Sequence, residues 1–144
     1  MTQRIYQFSL LLLCYMFLFN ATCYAAMDTG VPTPGASIQW QGWSNKAFAE
    51  AKAKKLRVLV YVKADWCRFC QLMNAVTFRD AEVIQVINAG YVPVRLDVEK
   101  DADVLQQYQI TGFPTVVIFN ANKQIIKQFT GFTSPGEVVK ILTF

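Results

Sequence analysis

The sequence predicts an α/β domain in three layers, with a mixed central sheet between helices. Three observations carry that reading. Short β-branched apolar runs, RVLVYV (Arg57 to Val62) and TVVIFN (Thr115 to Asn120), suit strands buried on both faces. Segments with helical spacing separate them, so the chain alternates between the two periods. The final segment carries its own start signal: Ser134 as N-cap, Pro135 at N1 and Glu137 as the N3 acid of a capping box.

The elements follow in order. Ser44 caps a helix over NKAFAEAKAKK, with Ala47, Phe48 and Ala51 on one face. The RVLVYV strand comes next, and helical spacing (Leu72, Met73, Val76) follows the cysteines after it. Asp80 caps a further helix, AEVIQVINAG, which Gly90 ends. YVPVRLDV (Tyr91 to Val98) reads as the second strand. Pro93 cannot donate a ladder bond, so it belongs near the strand start or at a sheet edge. DADVLQQY gives a short helix, and TVVIFN the third strand. ANK then turns into QIIKQFT, which closes an antiparallel hairpin before the terminal helix.

A chain of 144 residues points to one folded domain. Residues 1–26 read as a signal peptide: one basic residue, Arg4, then ten apolar residues from Leu10 to Phe19. That run suits an export leader and is short for a bilayer span, which leaves an uncleaved membrane anchor as the alternative. Residues 27–37, rich in Pro, Gly and Thr, form a linker, and the domain occupies 38–144. The mature protein is then exported, to the periplasm or another extracytoplasmic space. Its net charge of +4 falls to +3 without Arg4, and only Lys52, Lys54, Lys55 and Arg57 cluster, at the end of one helix. No basic stripe with stacking aromatics accompanies them, so nucleic acid is not an expected partner. The reading is a monomer, with Trp40, Trp43 and Phe132 open as core, rim or contact surface.

The cysteines narrow the chemistry. Of four, Cys14 and Cys23 fall in the leader, which leaves Cys67 and Cys70 in DWCRFC. A pair so close in sequence closes a tiny loop, and such a loop stabilises little. Zinc needs four donors; with no histidine and no second cysteine pair, only a dimer would complete a thiolate site, so no metal is expected. Absence of histidine also excludes a Cys-His hydrolase. Cys67 would sit past a strand's C-terminal end and at a helix N-terminus, where unpaired N–H groups favour a thiolate. Cys70 would lie one turn inside. Cys67 would thus be exposed and nucleophilic, and Cys70 shielded but within reach as the resolving thiol. A purely structural turn disulfide stands as the rival.

WCRFC after an apolar strand, TGFPT further on and a glycine before the last helix (FTGFTSPGEVVKIL) resemble thioredoxin-fold proteins. The likeness runs from about Ser44 to Phe144. ADWC followed by Thr77, Phe78 and Asp80 is most similar to the periplasmic C-terminal domain of the transmembrane disulfide-interchange reductase and to small exported thioredoxin-like proteins. The resemblance implies a cis Phe113–Pro114 peptide facing the disulfide, with Thr111, Gly112 and Phe113 offering main chain to substrate. It also implies that Trp66, with Arg68 and Phe69, belongs to the docking surface.

Two departures stand out. Arg68-Phe69 replaces the Gly-Pro of cytoplasmic-type thioredoxins, and Tyr61 stands six residues before Cys67 where those proteins carry a buried Asp. Lys63 and Asp65 nearby are expected to face solvent. The expected function is an exported thiol–disulfide oxidoreductase of the protein-disulfide reductase or electron-carrier type. It needs no cofactor beyond Cys67 and Cys70; its partners are protein thiols and disulfides, with a membrane electron donor restoring the dithiol. A disulfide oxidant or isomerase, and a non-catalytic binding or assembly module, are the alternatives.

Overall fold

In the computed structural model, which describes residues 36–144, the chain runs α1 (Asn45–Lys54), β1 (Arg57–Lys63), α2 (Arg68–Ala75) and a 3-10 turn (Thr77–Arg79). It continues through α3 (Ala81–Gly90), β2 (Tyr91–Asp97), α4 (Ala102–Gln107), β3 (Thr115–Phe119), β4 (Ile125–Thr130) and α5 (Pro135–Leu142). The expected order is reproduced, with the ends of several elements shifted by a single residue. The leader expected over 1–26, and residues 27–35 of the expected linker, lie outside the described residues.

The sheet order is β2-β1-β3-β4. β1 pairs with β2 in parallel and with β3 antiparallel, and β3 pairs antiparallel with β4. The sheet is therefore mixed, as expected. β1 and β3 lie centrally, and their side chains alternate between two cores. Leu59, Tyr61, Val116 and Ile118 face a cluster with Met73, Phe78, Ile84, Ile87, Val138 and Leu142, from the α2, α3 and α5 side. Val58, Val60, Val62, Val117 and Phe119 face Ala47, Phe48 and Ala51 of α1, with Leu105 of α4. Two buried faces on one strand need two helical layers, which is why the apolar runs read as continuous.

Pro93 sits in the edge strand β2, as its missing donor requires. Its carbonyl accepts the Gln41 amide at 3.1 Å. Because N and C=O of one strand residue point the same way, the proline nitrogen faces away from β1 and no ladder bond is lost. The helix starts are chemically explicit. Ser44 Oγ accepts the Ala47 amide, and one Asp80 oxygen accepts the amides of Glu82 and Val83. Glu137 closes the start of α5 by accepting the Ser134 amide at 3.0 Å and hydroxyl at 2.6 Å. Between β4 and α5 the chain turns at Gly131, whose φ of +100° lies in a region that side chains disfavour. Trp40 packs on Tyr61 and Phe78, and Trp43 on Phe48, Tyr108 and Phe119, so both are core partners; Phe132 is exposed.

Candidate active site

β1 ends at Lys63, and four residues later Cys67 caps α2. Its backbone is extended (φ −78°, ψ 107°), and its Sγ accepts the Cys70 amide at 3.2 Å. A sulfur at this place receives a helix N–H, the feature that stabilises a thiolate. The Cys67 amide donates to the Ala64 carbonyl, and Gln71 Nε2 donates to the Asp65 carbonyl at 2.8 Å, which pins the loop to the helix it starts. Cys67 and Cys70 are joined as a disulfide, with Cα atoms 5.2 Å apart. The expected asymmetry has the right sense but is small. Cys70 is 0% exposed and Cys67 only 7%, so Cys67 is not the open residue the sequence suggested. Ala64, Val98 and Phe113 pack around the pair and cover it.

The exposed rim consists of neighbours. Trp66 is 69% and Phe69 59% exposed, and Arg68 is exposed beside them. Trp66 is nonetheless held: its indole Nε1 donates to Glu99 at 2.8 Å, and its ring meets Phe113 edge-on at 6.3 Å. Phe113 comes from the second motif, so the fold brings the two motifs together at the disulfide. The Phe113–Pro114 peptide is cis, and Pro114 is buried, its carbonyl accepting the Gly131 amide at 2.8 Å. Thr111 is exposed at the outer end of this segment.

Gly112 is required by close approach. The Thr115 hydroxyl donates to the Gly112 carbonyl at 2.7 Å, which spends its only proton; Thr130 must then donate to Thr115 at 2.8 Å. That bond fixes the Thr130 rotamer, and a Cβ added at Gly112 would lie 2.8 Å from Thr130 Cγ2. Gly112→Ala is expected to destabilise by about 1–2 kcal/mol, the overpacking cost partly offset by the smaller unfolded-state entropy. In the Thr130→Ser background, which removes the methyl and keeps the hydroxyl, most of that penalty should vanish. Urea unfolding of the four proteins in this cycle is the check; equal penalties in both backgrounds would show that the contact is not the cause.

Near the site, sequence reasoning misplaced Lys63 and missed Asp97 and Glu99. Lys63 was expected in solvent; instead it pairs with Asp65 and with Asp97 at 2.7 Å, and both Lys63 and Asp97 are largely buried. The cause is register: Lys63 and Asp97 are direct partners in the parallel β1–β2 ladder. The hydrogen bonds of Asp65 and Asp97 raise the Lys63 pKa, while Glu99 and Lys63 hold the Asp97 carboxyl down at about 2. Asp65 does face solvent. Tyr61 is fully buried, and its hydroxyl donates to the Cys70 carbonyl at 3.1 Å. Burial pushes its pKa up to about 12, only partly opposed by the charge of Arg95. Glu99 is the other residue missed. Nothing in the local sequence marks it, since its partner Trp66 lies on a different element.

Among the described residues, no group of three or more His, Cys, Asp or Glu side chains is arranged to hold a metal. Comparison with known proteins points the same way as the geometry. The family model Thioredox_DsbH, described as a protein of unknown function, DUF255, matches residues 33–133. The chain is 34% identical over 94 residues to the thiol:disulfide interchange protein DsbD of Klebsiella pneumoniae, covering 61% of this chain and 15% of that protein. It is 31% identical over 103 residues to DsbD of Vibrio cholerae, covering 67% and 17%. It thus spans about a sixth of the length of these relatives. Among solved structures, a thioredoxin from Thermus thermophilus superimposes with a TM-score of 0.66 at 25% identity, over 74% of this chain and 85% of that one. The oxidised C-terminal domain of Neisseria meningitidis DsbD gives 0.59 at 22%, over 67% and 86%, which speaks to the fold.

Proposed function

We propose, from the premise that this chain belongs to the Thioredox_DsbH family of thioredoxin-fold thiol–disulfide oxidoreductases, that it is an exported reductase or electron carrier acting on protein disulfides. The observation that carries this reading is the Cys67–Cys70 disulfide at the start of α2, with Phe113 from the TGFPT segment packed against it. In the reduced protein, the Cys67 thiolate forms a bond to one sulfur of a substrate disulfide. That S–S bond breaks, and the first substrate thiolate leaves. Cys70, as its thiolate, then attacks Cys67 Sγ; the mixed disulfide breaks and the second substrate thiolate leaves. Two electrons pass to the substrate, and the two protons lost by the cysteines match the two gained by its thiols.

Trp66, Arg68 and Phe69 on one side, and Thr111, Gly112, Phe113 and Pro114 on the other, form the docking surface in this reading. Its apolar exposed rings suit an unfolded or extended polypeptide. A membrane-bound dithiol donor reduces Cys67–Cys70 again, in the space outside the cytoplasm to which the leader directs the chain. The reductase direction is supported by the ADWC and Thr77-Phe78…Asp80 context and by the likeness to thiol:disulfide interchange proteins.

Equilibration with glutathione tests the direction. A potential near about −270 mV or below is expected, the range of thioredoxin-like reductants. A value near about −120 mV, the range of disulfide-introducing enzymes, would overturn the reductase assignment in favour of oxidation.

A further inference from the structure

We propose that Tyr61 is a positioning residue for the exchange reaction: its hydroxyl, bonded to the Cys70 carbonyl, holds the first turn of α2 so that Cys70 stays within reach of Cys67 once the disulfide opens. The inference rests on the exchange function proposed above and adds a device that this chain's own sequence creates.

The hydroxyl is fixed because the ring is. Tyr61 belongs to the central strand β1 and packs on Phe78 at 4.6 Å and Trp40 at 5.7 Å, with the Arg95 guanidinium 6.0 Å over its face. From that position the phenol reaches out of the sheet to the helix that carries the reactive pair, at 3.1 Å. The Cys70 carbonyl lies inside α2 and already faces the Asn74 amide in the helical pattern, so the tyrosine bond is an addition to the turn and not a repair of it. Cys67 is anchored separately, through its own amide to Ala64. Both cysteines are therefore held by bonds that do not depend on the S–S link. The dithiol keeps the backbone of the disulfide, and the resolving attack starts from near its final geometry.

The same contact defines what Tyr61 does not do. A phenol whose pKa burial pushes up to about 12 stays protonated at physiological pH, so it donates throughout the cycle and takes no proton from Cys70. That proton leaves by another route, to solvent as the thiolate forms. Tyr61 acts through position alone.

The test uses the full chain with Cys14→Ser and Cys23→Ser, reduced and mixed in stopped flow with dithiobis(nitrobenzoate). Attack by Cys67 releases one coloured thiolate, and resolution by Cys70 releases a second. With Tyr61→Phe the second phase should slow about 3- to 10-fold, the factor that one net hydrogen bond represents. The first phase should stay within about twofold, a split that general destabilisation does not produce. Trp40→Phe, which loosens the same aromatic cluster but keeps the hydroxyl, should not slow the second phase selectively. An unchanged second phase in Tyr61→Phe, equal slowing of both phases, or selective slowing in Trp40→Phe overturns the proposal. Independently of any variant, amide exchange through the Cys70–Asn74 turn should be alike in the reduced and oxidised wild-type chain; a tenfold rise in exchange on reduction also overturns it. A wild-type chain that releases only one coloured equivalent sinks the exchange function itself, whereas two equivalents without selective slowing sink only the tether.

Discussion

Cys67→Ser removes disulfide exchange altogether, with insulin reduction expected to fall by at least about a thousandfold, to the assay background. Loss of a covalent nucleophile has effects on this order or larger, and a serine hydroxyl at a helix N-terminus is not a substitute for a thiolate. The protein must remain folded for the result to mean this. A disulfide closing so short a loop contributes only about 2 kcal/mol on the loop-entropy relation, and the start of α2 is held besides by the Cys67 amide on Ala64 and the Gln71 side chain on the Asp65 carbonyl. Circular dichroism and melting of Cys67→Ser should therefore match the reduced wild type. Cys70→Ser gives the complementary result. Cys67 still attacks, but the mixed disulfide has no intramolecular exit, so partners accumulate as adducts visible on a non-reducing gel and abolished by Cys67→Ser. Retention of biological function in Cys67→Ser would turn the reading to a binding or assembly module that uses the fold without its chemistry.

Much of this site was legible because local chemistry dictated it. A cysteine following a buried strand and starting a helix can be placed from spacing alone, whereas the TGFPT segment was brought to the disulfide only by the resemblance to thioredoxin-fold proteins. Contacts that depend on strand register were not legible. Lys63 meets Asp97 across 34 residues only because β1 and β2 pair in parallel with that offset, and Glu99 reaches Trp66 from the turn beyond β2. Cys67 is buried in a cluster against which Val98 and Phe113 pack from other segments, which again is tertiary. The Thr77-Phe78…Asp80 pattern is instructive in the other direction. Thr77 donates its hydroxyl to Thr133 at 2.7 Å, Phe78 packs edge-on against Trp40 at 5.1 Å, and Asp80 caps α3. These are scaffold roles, so the pattern locates the chain within its family by how α2 is joined to α3. The pattern bears on electron direction only through that family likeness, and the potential of the cysteine pair measures the direction itself.

Phe119→Ala is expected to lower stability by about 4 kcal/mol. Phe119 is fully buried at the end of β3, a strand paired on both sides, and stands where the β3–β4 register shifts. Its ring is the common neighbour of Tyr108 at 5.0 Å, Trp43 at 5.6 Å and Phe48 at 6.0 Å, all edge-on. Those three come from α1, from the loop before it and from the C-cap of α4, so one ring ties the whole second helical layer to the sheet. Truncation removes the transfer free energy and the edge-to-face terms together, and neighbours anchored on three separate segments cannot all collapse far into the space. Against a total of about 5–15 kcal/mol, that is a large fraction of the stability reserve. Phe119→Leu, which refills most of the volume, should cost about 1–2 kcal/mol. Urea unfolding of both variants measures this, and a loss below about 1.5 kcal/mol for alanine would show that the layer is held elsewhere. The consequence reaches the active site by a definite path. Val98 and Phe113 pack against this same core and against the disulfide cluster. A loosened second layer therefore loosens the wall on which a substrate would dock, and exchange in Phe119→Ala should decline with temperature well before the wild type does, while folded molecules at low temperature react at rates within about threefold of it.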